Sequence, residues 1–239
     1  MNWNIGNIES IFSISPRVKV FKLKLKNNPK KIIAGQYFDI RLTAENGFQA
    51  QRSYSISSSP KNLKFIEFTI SKSPNGEVSE YLHNNLQIGD KIEVKGPLGN
   101  YFNWIPTNND QIIFFAGGTG ISPFMSMIRH KIETQNNSKF KLMFSSRTIK
   151  DILFFDELNK YTILDPSFDM KITLTREKSS LWKGLTGRFS INEIEKSLHN
   201  IDKNSVNYIC GPTNFVEKIS SIILDLGVNY DLIKTERFG

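Results

Sequence analysis

The sequence predicts a β + α/β chain, with an antiparallel β-barrel followed by a doubly wound domain built on a parallel sheet. Three observations predict it. The first hundred or so residues carry short segments of alternating apolar and polar character, separated by Gly, Pro and Asn clusters, the pattern of strands with one buried face. From about Gln111 this gives way to a continuous apolar run, as in a parallel strand covered on both faces. Beyond that run, strand-like and helix-like segments alternate, the order expected of a doubly wound sheet.

Each element follows from its local pattern. Val18–Lys26 (VKVFKLKLK) alternates apolar and basic residues, and Tyr37–Leu42, Phe65–Ser71 and Lys91–Val94 continue the series. Several short strands at this spacing suggest a small antiparallel barrel. The Pro/Asn-rich segment Trp104–Asp110 marks the boundary, so residues 1–105 and 106–239 are expected as two domains. In the second, Ile112–Ala116 is the first strand, followed by a glycine turn and a helix over Pro123–Glu133. Phe140–Ser145, Met170–Thr175 and Tyr208–Cys210 are further strands, with helices over Ile152–Asn159, Ile191–His199 and Asn214–Leu226.

Composition narrows the function. A chain of 239 residues, 39% hydrophobic and 23% charged, can bury a substantial core. Its longest apolar stretches, such as Ile112–Ala116 and Ile152–Phe155, are too short to cross a bilayer. Met1–Ser10 lacks a basic region followed by an apolar run, so no secretory signal is read and a cytoplasmic location is expected. The single cysteine, Cys210, excludes an internal disulfide and a four-cysteine iron–sulfur site. The net charge of +8 suits either a solvated lysine-rich surface or the steering of an anionic cofactor or acidic protein. No zinc-finger spacing, basic helix or RNA-binding motif accompanies it, so nucleic acid is not expected. His83, His130 and His199 show no ligand spacing; surface positions are expected for them, and no metal.

Four segments carry chemistry. Arg52-Ser53-Tyr54-Ser55 offers a fixed cation, an aromatic face and a hydroxyl, and strand alternation places Arg52 and Tyr54 on one face. An arginine clamps a phosphate and a tyrosine stacks on a flat ring; an ordinary strand end reads the same way. Gly76-Glu77-Val78-Ser79-Glu80-Tyr81-Leu82 looks like a helix start whose unpaired amides suit a pyrophosphate, or a capped surface helix. Gly117-Gly118-Thr119-Gly120-Ile121-Ser122-Pro123 follows a strand and opens a helix, which suits a dinucleotide's phosphates. Pro123 stands where the usual fingerprint has its third glycine, a position in the first helical turn that tolerates proline. Cys210-Gly211-Pro212-Thr213 lies at another strand end, where open sheets bind ligands. Its cysteine has no histidine close in sequence to activate it; the alternative is a small, inert, buried thiol.

In this order and spacing, and with Gly96–Tyr101 between the second and third, these motifs resemble the ferredoxin–NADP⁺ reductase family from about Phe21 onward. The resemblance implies an FAD-binding β-barrel over 1–105, an NAD(P)-binding α/β domain over 106–239, and hydride transfer from NADPH or NADH to FAD N5. It implies that Tyr54 stacks on the isoalloxazine, that Ser55 hydrogen-bonds near N5, and that Arg52 holds the phosphates with Ser79 and the amides of Gly76, Glu77 and Val78. Ile70 and Lys72 are implied to line the flavin site. Gly118, Thr119 and Gly120, with Gly211 and Pro212, are implied to contact the nicotinamide dinucleotide, and Cys210 to sit where nicotinamide meets flavin, as a contact rather than a nucleophile. Arg176, with Arg147 and Lys178, is expected to receive a 2′-phosphate, though an arginine at this place also resembles that of NADH-using relatives, so NADPH and NADH both stay open. Thr175–Glu177, Trp182-x-Gly184 and Gly187-Arg188 are similar to the same family. The C-terminal Lys234–Gly239 resembles the end of oxygenase-system reductase cores, in which Phe238 covers the flavin and Glu236 assists near the nicotinamide. No cysteine-rich ferredoxin domain is present, so the expected acceptor is a separate acidic ferredoxin, flavodoxin or oxygenase component. A flavin or ferric reductase with a small-molecule acceptor, and a subunit active only inside a larger complex, are the alternatives.

Overall fold

The computed structural model describes residues 2–107, 109–177, 179–198 and 205–238. It divides into two units, one of Met1–Ile105 with Ser122–His130, the other of Pro106–Ile121 with Lys131–Gly239.

The first unit is an antiparallel sheet closed on itself. Its strands are β1 (Asn4–Ser15), β2 (Val18–Leu25), β3 (Tyr37–Thr43), β4 (Gln49–Ser55), β5 (Phe65–Ser71) and β6 (Lys91–Leu98), in the order β4-β3-β6-β1-β2-β5. The two end strands meet just past β4, where Ile56 bridges Phe68 and the Ser57 amide donates to the Glu67 carbonyl at 2.8 Å. Alternation drives the fold: Leu23, Phe38, Ile40, Ile66 and Phe68 point into a shared core, while Lys19, Lys22 and Lys24 of β2 remain partly exposed.

The strand β1 is longer than its neighbours yet has no clean period of two. Its apolar residues fall at Ile5, Ile8, Ile11, Phe12 and Ile14, and the pairing with β2 shifts between Ile8 and Ser10 and again between Ser13 and Ser15. The extra residue, Glu9, resets which face the strand buries.

The second unit is a parallel sheet of β7 (Gln111–Gly117), β8 (Lys139–Ser146), β9 (Phe168–Leu174), β10 (Leu185–Thr186), β11 (Val206–Pro212) and β12 (Ile233–Phe238). The order is β10-β9-β8-β7-β11-β12, so the chain winds outward from β7 in one direction and then returns to wind in the other. Between the strands run α2 (Ser122–Thr134), α3 (Phe155–Leu164), α4 (Ile191–Leu198) and α5 (Thr213–Asp225), while α1 (Glu77–Asn84) lies in the first unit between β5 and β6. Ile194 of α4 and Val216, Ile219 and Ile223 of α5 pack on Ile113, Phe115 and Met143 of the sheet. The helix expected from Ile152 begins at Phe155, because Ile152 and Leu153 are buried and Phe154 takes a left-handed conformation ahead of it.

A single cut after Ile105 does not describe the units. The first turns of α2 belong with the barrel, for a physical reason: Arg129 donates to Ser57 O at 2.8 Å and pairs with Glu67 at 2.9 Å, while Phe124 packs on Phe102 and His130 edge-on against Trp104. The last turn of α2 instead sends Lys131 into the second unit, where its ammonium meets Asp165 and donates to Ser167 Oγ at 2.8 Å. No helix among the described residues is long and apolar enough to cross a membrane.

Lys131 is 1% exposed, and burial of its partner Asp165 is outweighed by hydrogen bonds from Lys131 and Ser167 that hold the carboxyl below its usual value. Asp165→Asn strands the buried ammonium and should cost about 3–5 kcal/mol by urea unfolding at pH 7. Because the folded pKa is depressed, this contribution is present above the unfolded value of about 3.9 and is lost as pH falls through the folded one. The stability difference between wild type and Asp165→Asn should therefore close in acid.

Candidate functional site

In the second unit, the winding direction reverses at β7, which lies between β8 and β11. A crevice forms at the carboxyl ends of such strands, because the connections leave in opposite directions. The segments that reach this edge are Gly117–Ile121 after β7 and Gly211–Thr213 after β11. Gly118–Ile121 forms a 3-10 turn that runs into α2, with Pro123 near its start. Gly118 is left-handed (φ 55°) and faces open space; a Cβ on Gly120 would lie 2.1 Å from the Cys210 carbonyl oxygen. The turn therefore rests on the backbone of β11, with Thr119 at its half-exposed middle. Gly211 is buried and Pro212 exposed at the end of β11.

Cys210 is held between Ala116 of β7 and Glu236 of β12. Burial, then the negative charge of Glu236, pushes the thiol well above its ordinary value. A neutral thiol is neither a nucleophile nor an acid near pH 7. Phe238 pairs with Pro212 at the end of β12 and is 40% exposed.

Beyond β8 and β9, Arg147 and Arg176 are both exposed, and the Arg176 amide donates to the Arg147 carbonyl at 2.8 Å. Glu177 ties the same loops, accepting from the amides of Ile149 and Ser179 at 2.8 Å each. Lys178 lies outside the described residues, as does His199. Beside these arginines the buried Ser146 hydroxyl has no hydrogen-bond partner. A buried hydroxyl at a ligand-binding edge is a group awaiting a polar partner. Ser146 was absent from the sequence reading, although a Ser-Ser-Arg run directly after an apolar strand was its signal.

In the first unit, Arg52 and Tyr54 share a face of β4, opposite Ile40 and Phe38. Tyr54 packs against the barrel core, and burial pushes its hydroxyl up to about 12 despite the nearby Arg52 charge. Arg52 stays exposed, donating to the Gln51 carbonyl at 2.7 Å. Ser55 closes β4 opposite Tyr37, and α1 lies against this strand.

The start of α1 divides its polar groups. Ser79 Oγ accepts from the Ser73 amide at 3.1 Å and donates to the Gly76 carbonyl at 3.2 Å, while the Gly76 amide donates to Ser73 O at 3.0 Å. The Ser79 proton and the Gly76 amide are therefore used in fixing the turn. What the helix offers an anion are the first-turn amides of Glu77, Val78 and Ser79. Ile70, expected to line a ligand site, is 1% exposed in the barrel core because it continues the inward set of Ile66 and Phe68. Lys72 donates instead to Asn84 Oδ1 at 2.9 Å. His83 and His130, expected at the surface, are half-buried: His83 bonds the Ile70 carbonyl at 2.9 Å, and His130 packs on Trp104.

Residues 6–103 match the family described as "Oxidoreductase FAD-binding domain", and residues 114–221 match "Oxidoreductase NAD-binding domain". The chain thus carries, in this order, the FAD-binding and NAD-binding oxidoreductase domains that those two families describe. It is 32% identical over 207 residues to the glycine betaine monooxygenase reductase subunit of Chromohalobacter salexigens, covering 86% of this chain and 55% of that relative's length. The flavohem-like FAD/NAD-binding domain of nitric oxide dioxygenase from Vibrio cholerae superposes with a TM-score of 0.84 at 22% identity, covering 99% and 98% of the two chains. A ferredoxin NADP⁺ reductase from Neisseria gonorrhoeae, solved with FAD and NADP, gives a TM-score of 0.80 at 22% identity and covers 99% of each chain. The residues present fit both groups: an exposed guanidinium, three unpaired helix amides and a packed aromatic in the first unit, and an orphan hydroxyl with two arginines in the second.

Gly120→Ala should displace the turn from β11, since its Cβ would meet backbone rather than a movable side chain. NADP⁺ affinity by calorimetry should fall about tenfold or more, and the melting temperature of the second unit should drop. FAD content should stay near that of wild type.

Proposed function

We propose that the chain is an NAD(P)H-dependent flavoprotein reductase of the cytoplasm that passes single electrons to a separate oxygenase component or ferredoxin. The observation that carries this reading is the pairing, in one chain, of FAD-binding and NAD-binding oxidoreductase domains. The name of the betaine monooxygenase reductase subunit favours an oxygenase as partner. When bound, FAD would supply an acceptor for the hydride of a reduced nicotinamide and a donor of single electrons.

Everything assigned to the protein itself is placement. Arg52 and the amides of Glu77, Val78 and Ser79 bind the flavin phosphates, Gly76 and the Ser79 hydroxyl shaping the turn. The Tyr54 ring stacks against the flavin while its hydroxyl stays protonated, and Ser55 supplies a hydrogen bond at the flavin edge. Gly118, Thr119, Gly120, Gly211 and Pro212 receive the nicotinamide dinucleotide. The Cys210 thiol, expected as a contact, is 1% exposed, so at this strand end Cys210 offers its backbone, with Glu236 and Phe238 completing the strand ends. Ser146, Arg147 and Arg176 receive the adenylate end, and the two guanidinium groups favour the 2′-phosphate of NADPH. Arg147 and Arg176 together with the net charge of +8 also favour an acidic carrier.

The direct test is anaerobic mixing with NADH and NADPH in turn, followed by a ferredoxin or an oxygenase component. Bleaching of the flavin absorbance and its recovery on adding the carrier are expected; protein that carries no flavin, or flavin left unbleached by both nucleotides, rules the reading out. Arg176→Ala should raise KM for NADPH by about 10–100-fold with NADH unchanged, the loss of one charge-assisted hydrogen bond; equal effects on both nucleotides would remove the 2′-phosphate role. Tyr54→Ala should lower flavin occupancy and shift its visible spectrum.

A further inference from the structure

Helix α1 has eight residues, too few to hold a direction on its own. Its orientation is therefore set by what it is tied to. Val78 and Leu82 enter the barrel core, which fixes the buried face but leaves the axis free to rock. Polar ties at each end remove that freedom. At the start these are the Ser73, Gly76 and Ser79 bonds, with the Asn75 amide donating to Glu80 Oε1 at 3.1 Å.

At the far end the ties converge on His83. A carbonyl only accepts, so the 2.9 Å contact with Ile70 O puts the proton on His83 Nε2. The ring meets Phe21 edge-on at a centroid distance of 5.8 Å. Lys19 Nζ donates to the His83 carbonyl at 2.7 Å, and Lys72 Nζ to Asn84 Oδ1 at 2.9 Å. Burial foremost, and then the charges of Lys19 and Lys72, hold the imidazole below its ordinary value against the pull of the Ile70 bond. His83 is thus a neutral donor that fastens α1 to β5, the end strand of the barrel sheet.

We propose that His83 is a positioning residue for the flavin diphosphate, holding the first-turn amides of α1 at the angle the phosphates require. This rests on the reading of α1 as the phosphate-binding element. Hydrogen bonds to an anion weaken steeply with misalignment, and the helix field acts only within the first turn. A tilt at His83 is delivered at the opposite end of the helix, where Glu77, Val78 and Ser79 lie. A ligand without phosphate does not sense it.

The test compares FAD with riboflavin, which lacks phosphate, by fluorescence titration of the flavin-free protein. His83→Ala should weaken FAD by about tenfold while riboflavin changes less than about twofold. His83→Gln, whose amide nitrogen reaches the place of Nε2, should restore FAD affinity. Should His83→Ala not fold, Asn84→Ala carries the same expected split. Equal weakening of both ligands, or unchanged FAD affinity, overturns the positioning role while leaving the flavoprotein reading intact. A wild-type protein that takes up neither flavin overturns both.

Discussion

The second unit depends on one close approach, the turn after β7 lying directly on the backbone at the end of β11. A Cβ at Gly120 would fall 2.1 Å from the Cys210 carbonyl oxygen, so only a residue without a side chain lets the two segments touch. That contact holds the 3-10 turn at the point where the sheet reverses direction. The Cys210 side chain is 1% exposed. Burial and the charge of Glu236 keep that thiol protonated, which removes acid–base chemistry from it.

The first unit solves a different problem with a closed sheet. Joining β4 to β5 through Ile56 and Phe68 pairs strand edges that would otherwise be open. It also sets the Arg52–Ser55 strand end and the helix α1 against one another. Within that assembly, polar groups fall into two sets. Ser79 Oγ, the Gly76 amide and His83 Nε2 are committed to holding the backbone. The Arg52 guanidinium and the first-turn amides are left for a ligand. A site that works by placement needs both sets, since free donors are useful only when others fix their direction.

Much of this was legible in the sequence where a pattern had a single physical cause. Phe65–Ser71 reads as a strand with the limits the structure gives it, because both its ends are marked by turn residues. The apolar run Ile112–Ala116 forms the core of β7, because a strand covered on both faces has no other pattern. The strand β1 is not legible because its apolar residues keep no period of two, and its register shifts at Ile8/Ser10 and Ser13/Ser15 change which face is buried along it. The short strands β10 and β12 were missed for a related reason: two residues, or an alternation of charged and polar side chains on an end strand, carry little periodic signal. Lys131 could not be read as buried, since its partners Asp165 and Ser167 lie more than thirty residues away.

At the candidate sites, the motifs located the segments, but not the atoms that remain available. Ser79 is the clear case. Its place in Gly-x-x-Ser suggests a hydroxyl aimed at phosphate, yet a serine hydroxyl has one proton, and here it goes to the Gly76 carbonyl. What remains available on the residue is its first-turn amide. Ser146 is the converse, an unremarked serine whose buried hydroxyl has no partner. Both cases follow from counting donors and acceptors, which needs coordinates; motif spacing conveys only which residues are near. The same counting separates Lys72, tied to Asn84, from Arg52, whose remaining donors face solvent. Positive charge near a phosphate site becomes phosphate affinity only where the cation is not already satisfied by the protein.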